Sequence, residues 1–161
     1  RNGVRVNPML KHRKYSGDIF RHCLPLCIVS PSSVMLRKSL LNEVGGFDES
    51  MPVCEDYELW LRIAVRYPFK FLNEKLIIKR GGHKDQLSRK YWGMDRWRVY
   101  ALYKLLRSND LNPEQREWAK EMLFEKSTIL IQGFEKRGKT EEADLYRNLL
   151  SIYCRDYGSV S

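Results

Sequence analysis

The sequence has no paired cysteines. Its four, Cys23, Cys27, Cys54 and Cys154, form no CxxC pair and no spacing that reads as a disulfide framework. His22, Cys23 and Cys27 lie close together, but zinc takes four ligands at tighter, paired spacing. The thiols are therefore read as reduced and partly buried. Long apolar runs are also missing: nothing approaches the ~20 residues that span a bilayer. The opening, Arg1-Asn2-Gly3-Val4-Arg5, carries neither the apolar segment of a signal peptide nor a Met. It reads as an internal start within something longer. No internal duplication occurs, which excludes a repeat array. No zinc spacing, RNP-type aromatic pattern or basic recognition helix is present, so nucleic acid is not the expected partner.

What is present suits one ordinary domain: 161 residues, 43% of them apolar. Basic residues are in excess, with 29 Lys and Arg against 20 Asp and Glu, giving +9. That balance points to an anionic partner such as a nucleoside diphosphate or acidic lipid headgroups; the alternative is a solvated surface.

Along the chain, residues 1–22 are polar and basic and read as a loop, with a short helix around Ile19 to Cys23. Leu26 to Leu36 reads as a strand interrupted near Pro31. Leu40, Leu41 and Val44 share one side of a helix over Arg37 to Val44, which Gly45 ends in the left-handed conformation. Gly45-Gly46 then turns the chain. Leu59, Ile63 and Tyr67 recur at helical spacing and predict a helix from Glu55 to Tyr67, stopped by Pro68. Phe69 to Lys79 reads as a second strand, and Gly81-Gly82 opens a loop through Ser88. Three helices follow: Tyr91 to Arg107, Asn112 to about Arg137, and Thr140 to about Arg155. Asn112-Pro113-Glu114-Gln115 is a capping sequence for the second of them. The last two form a helical hairpin.

Glu55 and Asp56 open the helix that ends at Pro68. An acidic pair there has two readings. Negative charge in a first turn complements the helix dipole and its unpaired N–H groups. Alternatively, a carboxylate at that point is placed to act as a general base.

The order of motifs resembles one family. Ser32-Ser33-Val34-Met35-Leu36-Arg37, then Gly45-Gly46-Phe47-Asp48-Glu49, then Glu55-Asp56-Tyr57-Glu58-Leu59-Trp60-Leu61-Arg62, and finally Gly82-His83-Lys84-Asp85-Gln86-Leu87-Ser88, are similar to the acceptor side of inverting family-two glycosyltransferases. The resemblance covers roughly residues 17 to 88. It implies an α/β fold: the C-terminal portion of a GT-A, Rossmann-like sheet with packed helices, followed by an α-helical extension. Residues 1–88 would be the acceptor-side part and residues 89–161 the extension.

By that resemblance Asp56, with Glu55 beside it, is the catalytic base, taking the proton of an acceptor hydroxyl as it attacks a nucleotide sugar. His83 would reach the diphosphate or a metal from a mobile loop, or be an exposed loop histidine with no role. Arg80 and Lys84 would add positive charge near the leaving diphosphate. Trp60, Trp92 and Trp97 would stack on a sugar or sit in the core, and core is the expectation for Trp60. A divalent cation, Mn or Mg, is implied, but no Asp-x-Asp motif occurs and its main ligands are expected outside this chain. The partners implied are a nucleotide-sugar donor and a glycan or lipid-linked acceptor, in cell-surface polysaccharide or glycolipid synthesis. The expected location is the cytoplasm or the inner face of the membrane. The 161 residues alone are expected not to turn over. The competing reading is a non-catalytic module, with residues 89–161 docking on an acidic membrane or a protein partner.

Overall fold

Residues Glu55–Arg66 are helical because apolar side chains recur at helical spacing, three acidic residues lie in the first turn, and Tyr67-Pro68 is extended. The computed structural model describes residues 13–78, 91 and 93–157. These fall into two compact units that divide between Trp92 and Gly93.

In the first unit α1 is Phe20–Cys23, α2 is Lys38–Val44 and α3 is Glu55–Arg66. Helix α3 is wrapped on nearly every side: Tyr57, Glu58, Leu59, Trp60, Leu61, Ile63 and Ala64 are all buried. Leu59, Trp60 and Ile63 form a core against which Cys27, Val29, Val34, Leu36, Leu40, Leu41 and Val44 pack. Helix α1 packs on α3. The Tyr57 hydroxyl donates to the Leu24 carbonyl at 2.6 Å and ties the segment after α1 to α3.

Two segments differ from the strands expected at 26–36 and 69–79. The first holds a 3₁₀ turn at Pro31–Ser33 between extended residues, and Met35 is 96% exposed. The second makes one antiparallel bridge, Phe69 with Gly17, with hydrogen bonds of 2.7 and 2.8 Å. Phe71 N donates to Ser16 Oγ at 2.9 Å, and Leu72, Leu76, Ile77 and Ile78 are exposed. A strand is stabilised by its partner, and among the described residues no neighbouring ladder pairs with either segment. Gly45 has the positive φ expected at the end of α2, but its ψ of 159° places it outside the αL cap, in a region open essentially to glycine alone.

In the second unit α4 is Met94–Arg107, α5 is Pro113–Glu135 and α6 is Thr140–Tyr153. Asn112 caps α5 as its sequence predicts. Its Oδ1 accepts from Gln115 N at 2.8 Å, and Gln115 Oε1 accepts from Asn112 N at 3.0 Å. Helices α5 and α6 form the expected hairpin, and α4 packs against α5 as well. Residues 93–161 hold 12 Lys and Arg against 11 Asp and Glu, so the basic excess sits almost wholly in residues 1–92. No helix among the described residues is long and apolar enough to cross a membrane.

Candidate active site

Cys54 precedes α3 with φ 61°, in the left-handed region. A residue with a side chain pays about 1–3 kcal/mol for such a conformation. Burial of Cys54, and the hydrogen bond its carbonyl accepts from Glu58 N at 3.0 Å, hold it there. The consequence is a sharp entry into the helix that sets Glu55 and Asp56 at its head, both half-buried.

Asp56 Oδ1 accepts from the Tyr57 amide at 2.7 Å, which fixes the carboxylate at the mouth of the first turn. The Asp56 charge also acts on the Cys27 thiol. Burial and the Asp56 charge push that thiol well above its ordinary value, so it stays protonated and able to donate. It also reaches the Val29 carbonyl at 3.2 Å. Cys27 lies far from Asp56 in sequence, and nothing in the residue pattern signals the pairing.

Arg62 makes a second set of contacts that the residue pattern does not signal. Its Nε donates to both oxygens of Glu58 at 3.0 Å, and its Nη2 to Oε2 at 2.8 Å. The rest of the guanidinium reaches across to the turn after α2. Nη2 donates to the Gly46 carbonyl at 2.7 Å, and Nη1 to the carbonyls of Val44 and Gly45. Glu58, only 3% exposed, anchors this fork. The turn that it holds carries Phe47, whose ring meets the Trp60 ring edge-on with centroids 6.4 Å apart.

Of the expected site residues, the structure brings Glu55, Asp56 and Trp60 onto one helix. Trp60 is 2% exposed and belongs to the core, as its helical spacing suggests. Phe47, at 45% exposure, is the aromatic side chain of this region open to solvent. Arg80, His83, Lys84 and Trp92 lie outside the described residues. Trp97 is on α4, edge-on to Tyr100.

Asp48, in the same turn as Phe47, has Oδ1 committed to the amide and hydroxyl of Ser50 at 2.9 and 2.6 Å. Among the described residues no group of three or more His, Cys, Asp and Glu is placed to hold a metal ion. The described residues alone therefore supply no divalent-cation site.

The family model for glycosyltransferase like family 2 matches residues 25–126, more than half of the chain. The chain belongs to this family. The match runs past the resemblance legible by eye, through α4 and into α5. A 69-residue stretch is 33% identical to an uncharacterized glycosyltransferase of Rickettsia felis and 35% identical to another of Rickettsia conorii. That stretch is 42% of this chain and 11% of each relative, so the chain spans only a small part of the curated relatives it matches. No solved structure matches significantly.

Proposed function

We propose that the first unit carries the acceptor side of a GT-A-type, inverting, nucleotide-sugar-dependent transferase, with Asp56 as general base. The observation that carries this reading is the half-buried Asp56 carboxylate at the head of α3, held at one oxygen by the Tyr57 amide. Such a group is oriented and partly shielded from water, as a base must be.

In the reaction the acceptor hydroxyl gives its proton to the Asp56 carboxylate. The acceptor oxygen forms a bond to the anomeric carbon from the face opposite the leaving group. The bond from that carbon to the nucleoside diphosphate breaks, and its electron pair leaves with the diphosphate. One displacement inverts the anomeric centre. Glu55 stands beside Asp56 in the first turn of α3. Arg80, Lys84 and His83 are the groups proposed to meet the diphosphate, and His83 the one proposed to touch a metal whose main ligands lie outside this chain. The nucleotide half of the site, the cell-surface glycan or glycolipid acceptor, and a location in the cytoplasm or at the inner membrane face belong to the same proposal.

The competing docking role for residues 89–161 draws modest support from charge: 14 Lys and Arg stand there against 11 Asp and Glu. The experiment is the anomeric configuration of the product formed by the intact protein, read by proton NMR. Inversion relative to the donor is expected. Retention would rule out a single displacement, and with it the role given to Asp56.

A further inference from the structure

The strongest unassigned feature of the first unit is the Arg62 fork. Arginine offers five donors in a rigid plane. Here they are divided between the Glu58 carboxylate on its own helix and three successive carbonyls, of Val44, Gly45 and Gly46, on another segment. Val44 at the start of the turn also packs on the core of the first unit. Among the described residues, nothing lies within 4 Å of where a Cβ would stand at Gly46, and the nearest atom to such a Cβ at Gly45 is Arg62 Nη1, at 3.5 Å. What the fork positions is Phe47, the next residue, whose half-exposed ring stands on Trp60. Trp60 in turn is one helical turn on from Asp56 and on the same side of α3.

We infer that Arg62 is a positioning residue for the acceptor: it fixes the Val44–Phe47 turn on α3 and so holds Phe47 as the ring on which the acceptor pyranose stacks beside Asp56. The inference rests on the transferase reading above. A pyranose has an apolar face of C–H groups that an aromatic ring covers, and Trp60, buried beneath, backs that ring without reaching the solvent. The nucleotide donor touches neither residue in this account. The two substrates should therefore respond differently.

Arg62→Lys tests the fork. Lysine keeps a cation against Glu58 but cannot span the carboxylate and three carbonyls together. Hydrogen exchange at the amides of residues 45–50 is expected to quicken on the order of tenfold while α3 stays protected. In the intact protein the acceptor KM is expected to rise about tenfold, the loss of one charged hydrogen bond, with the donor KM unchanged. Phe47→Ala should raise the acceptor KM in the same way. In its background Arg62→Lys should add little, because Arg62 acts through that ring.

Unchanged exchange in the turn, an equal rise in both KM values, or fully additive effects would overturn the inference. If Arg62→Lys does not fold, Phe47→Ala alone decides the acceptor arm, since its exposed ring leaves the core intact. If the intact protein transfers no sugar, the transferase reading fails and the acceptor arm falls with it. The exchange measurement still decides whether Arg62 holds the turn.

Discussion

Replacing Trp60 by Phe sets two effects of similar size against each other. The indole is closed in by the core of the first unit, so the smaller phenyl ring leaves a void of roughly 40 Å³, a cost of about 1 kcal/mol at ~24 cal/mol per Å³. Lost apolar contact brings the total to about 1–2 kcal/mol. Against this, Trp60 Nε1 is a buried N–H with no hydrogen-bond partner among the described residues. Leaving such a group unsatisfied costs about 1–3 kcal/mol, which the phenyl ring removes. The expected net change is within about 1 kcal/mol, whereas Trp60→Ala, which only opens a cavity, should cost about 3–5 kcal/mol. Urea unfolding followed by circular dichroism reads both, through shifts of the midpoint at constant slope. If Trp60→Phe were as damaging as Trp60→Ala, the indole N–H would have to be partnered. If Trp60→Phe folded normally but lost acceptor binding in the intact protein, the indole would belong to the substrate site and not to the core.

Gly45→Ala should destabilise the first unit by about 1 kcal/mol or more because φ is +78° there, while Gly46→Ala should be nearly neutral, its Cβ meeting nothing within 4 Å among the described residues; equal costs in urea unfolding would refute the distinction. In the second unit burial opposes ionisation of Asp95, but the hydrogen bond from Arg98 and the charge of Lys126 outweigh it and hold the carboxyl below its ordinary value. The stability this gives is complete above the unfolded value of about 3.9 and is lost as pH falls through the lower folded value. Asp95→Asn should flatten that acid limb in a midpoint-against-pH series, and an unchanged limb would contradict it. Burial pushes Cys23 to about 12 and Cys154 to about 11, with Cys27 higher still. Alkylation by iodoacetamide near neutral pH should be slow in the native protein and fast in urea; rapid labelling of these thiols in the folded state would count against their placement.

The helices were legible in the sequence because their causes are local. Leu59 and Ile63 mark the buried side of α3, and Pro68 bars its continuation. Asn112 and Gln115 satisfy each other's amides across one turn. The strands expected at 26–36 and 69–79 were not reliable, because an apolar extended run becomes a strand only with a partner, and no sequence pattern names the partner. Glu55 and Asp56 were singled out through motif order, and in the structure the left-handed Cys54 precedes them at the head of α3. The influence of Asp56 on Cys27 and the contacts of Arg62 with the turn carbonyls escaped notice for different reasons. The first joins residues far apart in sequence. The second ends on backbone oxygens, which every residue type has, although the i, i+4 spacing of Glu58 and Arg62 was a signal open to view.

The most direct test of the account compares Asp56→Asn with Glu55→Gln in the intact protein, measuring sugar transfer under saturating nucleotide sugar alongside donor binding. The account predicts that Asp56→Asn loses about 10²- to 10⁴-fold in kcat, the contribution of a positioned general base, with donor binding kept, and that Glu55→Gln stays within about tenfold of the parent. Near-normal transfer by Asp56→Asn, or the larger loss at Glu55, would contradict it.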